Sequence, residues 1–247
     1  MPCSTTESPV NAPRVAVIAY HADVELRYSP RWLRKCAESV LSQTHRDFDI
    51  LELSYGVRQQ LSLFDAHTGK LGAGRSHRAW HRPLCNHAQA MNWLLDAAFG
   101  TYEYDYVFNI NVDDYYAPTR FARQLAVMRR DKLHMTSTNV ILVREARIAG
   151  VTFDLPLGRL NLAREGRTTR EISAALQRRR TVIAHPSVCY ARSFWRAHPD
   201  LCYGDEIPYE DCNLWLRALR HEEIRMAVLP DYLLYYRRHA RQVSGRA

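Results

Sequence analysis

The stretch VFNINVDDYYAP, residues 107–118, ends an apolar run on two adjacent carboxylates, Asp113 and Asp114. Two like charges side by side repel each other unless a cation neutralises them. Hard oxygen ligands on a loop suit Mg²⁺ or Mn²⁺, which take one or two carboxylates and leave room for substrate phosphates. The plainer reading is a turn, where Asp is common for its own reasons. The chain also carries a formal charge of +8, almost all of it from arginine, with lysine only at Lys35, Lys70 and Lys132. Guanidinium groups grip phosphates in a bidentate manner. The charge therefore suits a diphosphate substrate as well as it suits nucleic acid.

These carboxylates need a scaffold. RVAVIAY, 14–20, is a short apolar run of strand type. In SPRWLRKCAESVLSQ, Ser29 is a candidate cap, Pro30 fits a first turn, and Leu33, Cys36, Ala37, Val40 and Leu41 recur at helical spacing. FDILELSYG, 48–56, is a second strand closed by Gly56, so strand, helix and strand form a parallel βαβ unit. Residues 57–85 read as a long irregular loop. A helix capped by Asn86 and stopped by Gly100 follows, then the strand that carries Asp113 and Asp114 and a helix opened by Pro118. HMTSTNVILV resumes strand character. The alternation predicts an open α/β sheet, and ligands of such sheets bind beyond the carboxyl ends of the strands, where Asp113 and Asp114 fall.

Composition bounds the alternatives. With 247 residues, 47% hydrophobic and 24% charged, the chain is long enough for a real core. No apolar run approaches a membrane span. The six cysteines are scattered without a CxxC pair, which argues against a zinc ribbon or a disulfide framework and makes a reducing cytoplasm the expected location. The opening MPCSTTESPVNAP has no signal pattern and reads as a disordered lead over 1–13, with one domain over 14–247. Residues 144–180 hold nine arginines against four acids and read as an insertion or flap. A nucleic-acid binder driven by that region would need an aromatic-interleaved basic stripe, which is missing, so no specific nucleic acid is expected.

The ordered set RVAVIAYHAD, SVLSQT (39–44), DFDI (47–50), HAQAMNWLLDAA, FNINVDDYYAPTRF, AHPSVCYARSFW, YEDCNLWLRAL and YYRRHARQVS resembles family-2 glycosyltransferases of the GT-A fold from about residue 14 to 244. That resemblance implies a nucleotide-diphospho-sugar transferase-like fold, a Rossmann-like, mostly parallel central sheet flanked by helices. It implies a metal-dependent, inverting transfer of a sugar from a nucleotide sugar to a carbohydrate or lipid-linked acceptor, with peripheral membrane contact open. Asp113, Asp114 and His239 are then the metal set for Mn²⁺ or Mg²⁺. Asp211 is the general base, with Glu210 as second choice, although acids in a first helical turn are also favoured by the helix dipole. Tyr20, Asp23, Ser54, Tyr55, Asn92, Asn111 and Asp114 are the candidates for the donor. Arg217 and Arg237 or Arg238 are candidate phosphate contacts.

The pattern also departs from the family. Ser54 and Tyr55 stand where two acids usually end the second strand, AYHAD replaces a proline–threonine phrase, and Asn111 stands where the first metal-binding acid often sits. Tyr55 could stack on a base and Asp23 could stand in at the nucleotide edge. These changes leave a non-catalytic GT-A domain, binding a glycan or a protein partner, as the alternative function.

Overall fold

The computed structural model describes residues 12–59, 62–65, 75–206, 209–240 and 242. Most of the expected lead, and part of the loop expected over 57–85, lie outside the described residues. Strand β1 (Val15–His21) pairs in parallel with β2 (Asp49–Tyr55) on one side and β4 (Tyr106–Ile110) on the other. The helix between β1 and β2 is α2 (Pro30–Leu41), preceded by the short α1 (Val24–Arg27). Ser29 caps α2 as expected, its hydroxyl accepting from the Arg31 amide at 3.2 Å. Cys36, Ala37, Val40 and Leu41 form its buried face.

The region read as loop contains a strand, β3 (His77–Arg82), parallel to β2 at the sheet edge. Its sequence, HRAWHR, lacks an apolar run because an edge strand with one half-open face does not need one. Helix α3 (His87–Asp96) begins at Asn86, whose side chain accepts from the Gln89 amide, and runs on into a π turn over Ala97–Thr101. Strand β4 stops at Ile110, so Asp113 and Asp114 lie in the turn after it, directly before the two-residue β5 (Tyr115–Tyr116). Helix α4 (Arg120–Arg130) follows.

The second half completes a nine-stranded sheet in the order β3-β2-β1-β4-β8-β6-β9-β5, with β7 beside β6. Strands β6 (Met135–Ile148) and β9 (Met226–Arg237) are parallel, whereas β7 (Val151–Leu160), β8 (Cys189–Ala191) and β5 join antiparallel. The register of β9 slips beside Asn139, between Leu229 and Tyr232, where Pro230 has no amide to give the ladder. Helices α5 (Thr169–Gln177), α6 (Arg192–Ala197) and α7 (Glu210–Ala218) flank this half. The arginine-rich stretch is thus an extended β6–β7 hairpin followed by α5.

The phrase SVLSQT has a structural reason. Gln43 is fully buried. Its amide donates to the Ala117 carbonyl at 2.8 Å and the Ser39 carbonyl at 3.0 Å, while its oxygen accepts from the Phe121 amide at 3.0 Å. The Ser39 hydroxyl accepts from the Tyr116 amide at 3.1 Å. The end of α2 therefore pins both flanks of the segment that follows the two carboxylates.

A second polar knot lies under β2. Buried Glu52 meets His21 Nε2 at 2.8 Å and His77 Nε2 at 2.9 Å, and accepts from the Ser62 hydroxyl and the Leu63 amide, each at 2.5 Å. Burial alone would raise its pKa, but the bonds from His21, His77 and Ser62 outweigh it and hold the carboxyl at about 2, against an ordinary 4.5. A depressed carboxylate contributes stability that is present above pH 4.5 and lost as pH falls towards 2. Glu52→Gln is expected to cost about 2–4 kcal/mol at pH 7 and to flatten acid unfolding across that window, read by circular dichroism. An unchanged acid limb would remove Glu52 from this account.

Candidate functional site

The turn after β4 brings two of the three expected metal residues into contact and turns the third, Asp114, to the backbone of Arg237. Asp113 Oδ2 lies 3.0 Å from Nε2 of His239, which follows β9. His239 is walled by aromatic rings, Trp32 at 5.0 Å and Tyr28 at 5.9 Å between centroids. Asp114 is buried; its Oδ1 accepts from the Arg237 amide at 2.8 Å, and its Oδ2 has no hydrogen-bond partner. Burial first, and then the charge of Asp113, push its carboxyl upward.

Arg237 braces this turn. Its Nε donates to the Asp113 carbonyl at 3.0 Å, and Nη1 reaches Asp154 Oδ1 on β7 at 2.6 Å. Asp154 also pairs with Arg31 at 2.9 Å and with Lys35. Burial would raise the Asp154 pKa, yet hydrogen bonds from Arg237, Lys35 and Arg31 hold it well below the usual carboxylate range. The Arg237 guanidinium is therefore buried and engaged inside the protein, which removes it from the set of free phosphate contacts. The partly exposed Arg217 guanidinium donates to the Cys202 carbonyl. Asn111 is tied locally: its amide donates to the Tyr116 hydroxyl at 2.8 Å, and its Oδ1 accepts from the Tyr20 hydroxyl at 3.1 Å.

The second acidic pair opens α7. Glu210 Oε1 lies 2.6 Å from His87 Nε2 at the start of α3, and Oε2 is buried without a partner. The Glu210 pKa is lowered: burial pushes up, and His87 more than offsets it. Asp211 goes the other way, up to about 6, through burial and then through the charge of Glu210 beside it. Its Oδ1 accepts from the Cys212 amide at 2.6 Å. The two neighbouring carboxyls are thus driven apart, Glu210 down and Asp211 up.

Tyr20 stands at the carboxyl end of β1. Burial pushes its phenol up first, and the charges of Tyr55, Glu210 and Asp113 add to it. Beside it a pocket of about 450 Å³ opens at the ends of β1, β2 and β3, lined by residues that include Asp23, Arg27, Tyr55, Arg58, Asn86 and His87. That volume suits a small organic ligand. Asp23 sits there in left-handed backbone, φ 49°, 3.7 Å from Arg27. Gly56, at φ +104°, lets the chain leave β2 along the pocket.

Two candidates for the donor are placed differently. The Ser54 hydroxyl meets the Trp80 carbonyl at 3.3 Å and His81 Nδ1 at 3.0 Å on β3. Both polar atoms of Asn92 hold the backbone of Tyr203 at 2.8 Å, fixing the segment before α7. Sequence reasoning missed His87, Asp154 and His185. His185 lies 3.0 Å from the Tyr203 hydroxyl, and burial lowers its pKa to about 4. No spacing rule singles out such residues, since their partners are 123, 83 and 18 positions away. Among the described residues, the three side chains whose ligand atoms all lie within 4.8 Å of one another are His198, Asp200 and His221, beyond α6 and α7, and not Asp113, Asp114 and His239.

No family model matches the chain. An uncharacterized glycosyltransferase of Haemophilus influenzae is 27% identical over 225 residues, 90% of this chain and 76% of that protein. Among solved structures, S. aureus TarS residues 1–349 in complex with UDP-GlcNAc superposes with a TM-score of 0.67 at 15% identity, over 95% of this chain and 61% of that one. The same fragment in complex with UDP gives 0.63 at 16% identity, over 91% and 60%. The chain thus spans about three-fifths of those structures. At such identity the likeness establishes the fold, and that fold is GT-A.

Proposed function

We propose that this GT-A-fold chain, a divergent relative of the family-2 glycosyltransferases, is a glycosyltransferase that moves a sugar from a nucleotide sugar to an acceptor hydroxyl. The observation that supports this reading is the Glu210–Asp211 pair at the start of α7, with Glu210 held at 2.6 Å by His87 on the wall of the β1–β3 pocket. The complexes of TarS with UDP and UDP-GlcNAc support a uridine-type donor. Tyr55 and Asp23 both line the pocket, and in this reading Tyr55 stacks on the base with Asp23 at its edge.

The carboxylate turn fits a divalent cation. Asp114 has a buried oxygen without a partner, Asp113 lies 3.0 Å from His239, and hard oxygens with one imidazole suit Mn²⁺ or Mg²⁺. Asp113, Asp114 and His239 would hold the ion, which when bound would offset charge on the departing diphosphate. On the chain's side, Asp211 accepts the acceptor's hydroxyl proton. The new C–O bond forms at the anomeric carbon as the bond to the diphosphate breaks. A single displacement from the opposite face inverts the anomeric centre. Glu210, held by His87, keeps the Asp211 pKa raised, and Asn92 fixes the loop that presents both.

Thermal shift against nucleotides and nucleotide sugars, with and without Mn²⁺, tests this reading. A matched UDP-sugar is expected to raise the melting temperature by several degrees only with Mn²⁺, and Asp113→Ala to abolish the gain. No response to any UDP, GDP, dTDP or CMP compound would favour the non-catalytic GT-A domain, for which the altered Ser54–Tyr55 segment is the supporting observation.

A further inference from the structure

The β6–β7 hairpin has two unlike faces. Directly opposed residues in an antiparallel pair share a face, and successive residues alternate. Glu145 opposes Asp154, and both turn inward to α2, where Arg31 binds each at 2.9 Å and Trp32 Nε1 donates to Glu145 at 2.7 Å. The other face must then carry Arg144 with Leu155, Ala146 with Phe153, and Ile148 with Val151. Ile148 and Val151 are each 65% exposed, and Leu155, Leu157 and Leu160 are between 39% and 47% exposed. Five of the eight large apolar side chains exposed among the described residues therefore sit on this one hairpin. Its tip, Ile148-Ala149-Gly150-Val151, turns through two residues of positive φ without a charged or polar side chain.

The charge around this stripe has one sign. Both acids of the hairpin are taken up by α2 and Arg237, whereas Arg144, Arg147 and Arg159 are exposed. A bare apolar tip flanked by arginines matches the boundary of an anionic bilayer, where apolar side chains enter the acyl region and guanidinium groups meet lipid phosphates. Pairing with a second copy along the β7 edge is opposed by Pro156, which has no amide, and by the irregular register beside it.

We infer that the tip and outer face of the β6–β7 hairpin dock the protein on an anionic phospholipid surface, through Ile148, Val151, Leu155 and Arg144 on that face, with the exposed Arg147 beside the tip. The inner face of the same hairpin supplies Asp154 to Arg237, which holds the Asp113–Asp114 turn, so a docked hairpin lies one strand layer from the site. Docking stands independently of catalysis. Its consequence, an acceptor carried on a membrane lipid, rests on the glycosyltransferase reading.

Vesicle flotation tests it, using phosphatidylcholine vesicles with and without phosphatidylglycerol. Wild type is expected to float with the anionic vesicles only, and to be released by high salt. Ile148→Ser/Val151→Ser and Arg144→Gln/Arg147→Gln should each weaken flotation by about tenfold or more, with unchanged circular dichroism and unchanged nucleotide-dependent thermal shift. Wild type left unbound, or variants that float as well as wild type, would overturn the inference. So would a concentration-dependent dimer, seen by sedimentation, that the Ile148→Ser/Val151→Ser variant abolishes. A chain that floats yet responds to no nucleotide would leave docking standing and remove the catalytic reading.

Discussion

Asp211→Asn is expected to lower kcat by a factor of about 10³ while making the folded protein more stable at pH 7. Both effects come from one environment. Burial and the neighbouring Glu210 lift the Asp211 pKa to about 6, against an ordinary 3.8. A carboxyl whose folded pKa is raised contributes stability that is fully present below the unfolded value and lost as pH rises through the folded one. Above pH 6 the ionised group therefore costs the fold on the order of 1–2 kcal/mol, after allowance for solvent at the site. The amide keeps the shape and removes the charge, so it recovers that cost and loses the base. Wild-type kcat/KM should climb with pH through about 6 and then level. Urea titrations at pH 5 and 7.5 should show the variant gaining stability over wild type only at the higher pH. An active Asp211→Asn enzyme, or a variant destabilised at pH 7.5, would move the base elsewhere, with Glu210 next in line.

Removing Arg237 should be the most damaging single change. Arg237→Met is expected to cost about 3–5 kcal/mol, because it takes one partner from a buried ion pair and leaves Asp154 short of its most buried cation. It also deprives the Asp113 carbonyl of a donor, while the backbone bond from residue 237 to Asp114 remains. The proposed metal residues would then be present but loosely held, so under that proposal the Mn²⁺-dependent thermal shift should shrink along with stability. Asp154→Leu should damage the same network from the other side, leaving the buried Arg237 guanidinium without its carboxylate. The double variant Arg237→Met/Asp154→Leu should cost less than the sum of the two singles, measured by urea unfolding, because coupled partners are not additive. Full additivity would mean that the two side chains act independently and that the hairpin does not brace the turn.

Local signals carried a long way in this chain. The βαβ start was legible because Ser29 and Asn86 cap real helices and because α2 writes its buried face at helical spacing. Asp113, Asp114, Glu210 and Asp211 were legible because acids ending an apolar run, or opening a helix, are unusual enough to stand out. Strand β3 was not legible, since an edge strand needs no apolar alternation. The arginine-rich stretch read as a solvated flap, since composition does not reveal that Glu145 and Asp154 turn inward while the apolar residues turn out.

Sequence by itself thus determined the order of the elements, the fold type and the acids at the strand and helix ends, because caps, periodicity and breakers act over a few residues. Tertiary structure alone decided which of those acids meet. It placed Asp113 against His239 and Glu210 against His87, 126 and 123 residues apart. It turned Arg237 from a free phosphate contact into a buried brace and set Ser54 and Asn92 to structural bonds. The reason is physical: a side chain's pKa and partners depend on burial and on charges brought close by the sheet, and neither quantity is a property of neighbouring letters.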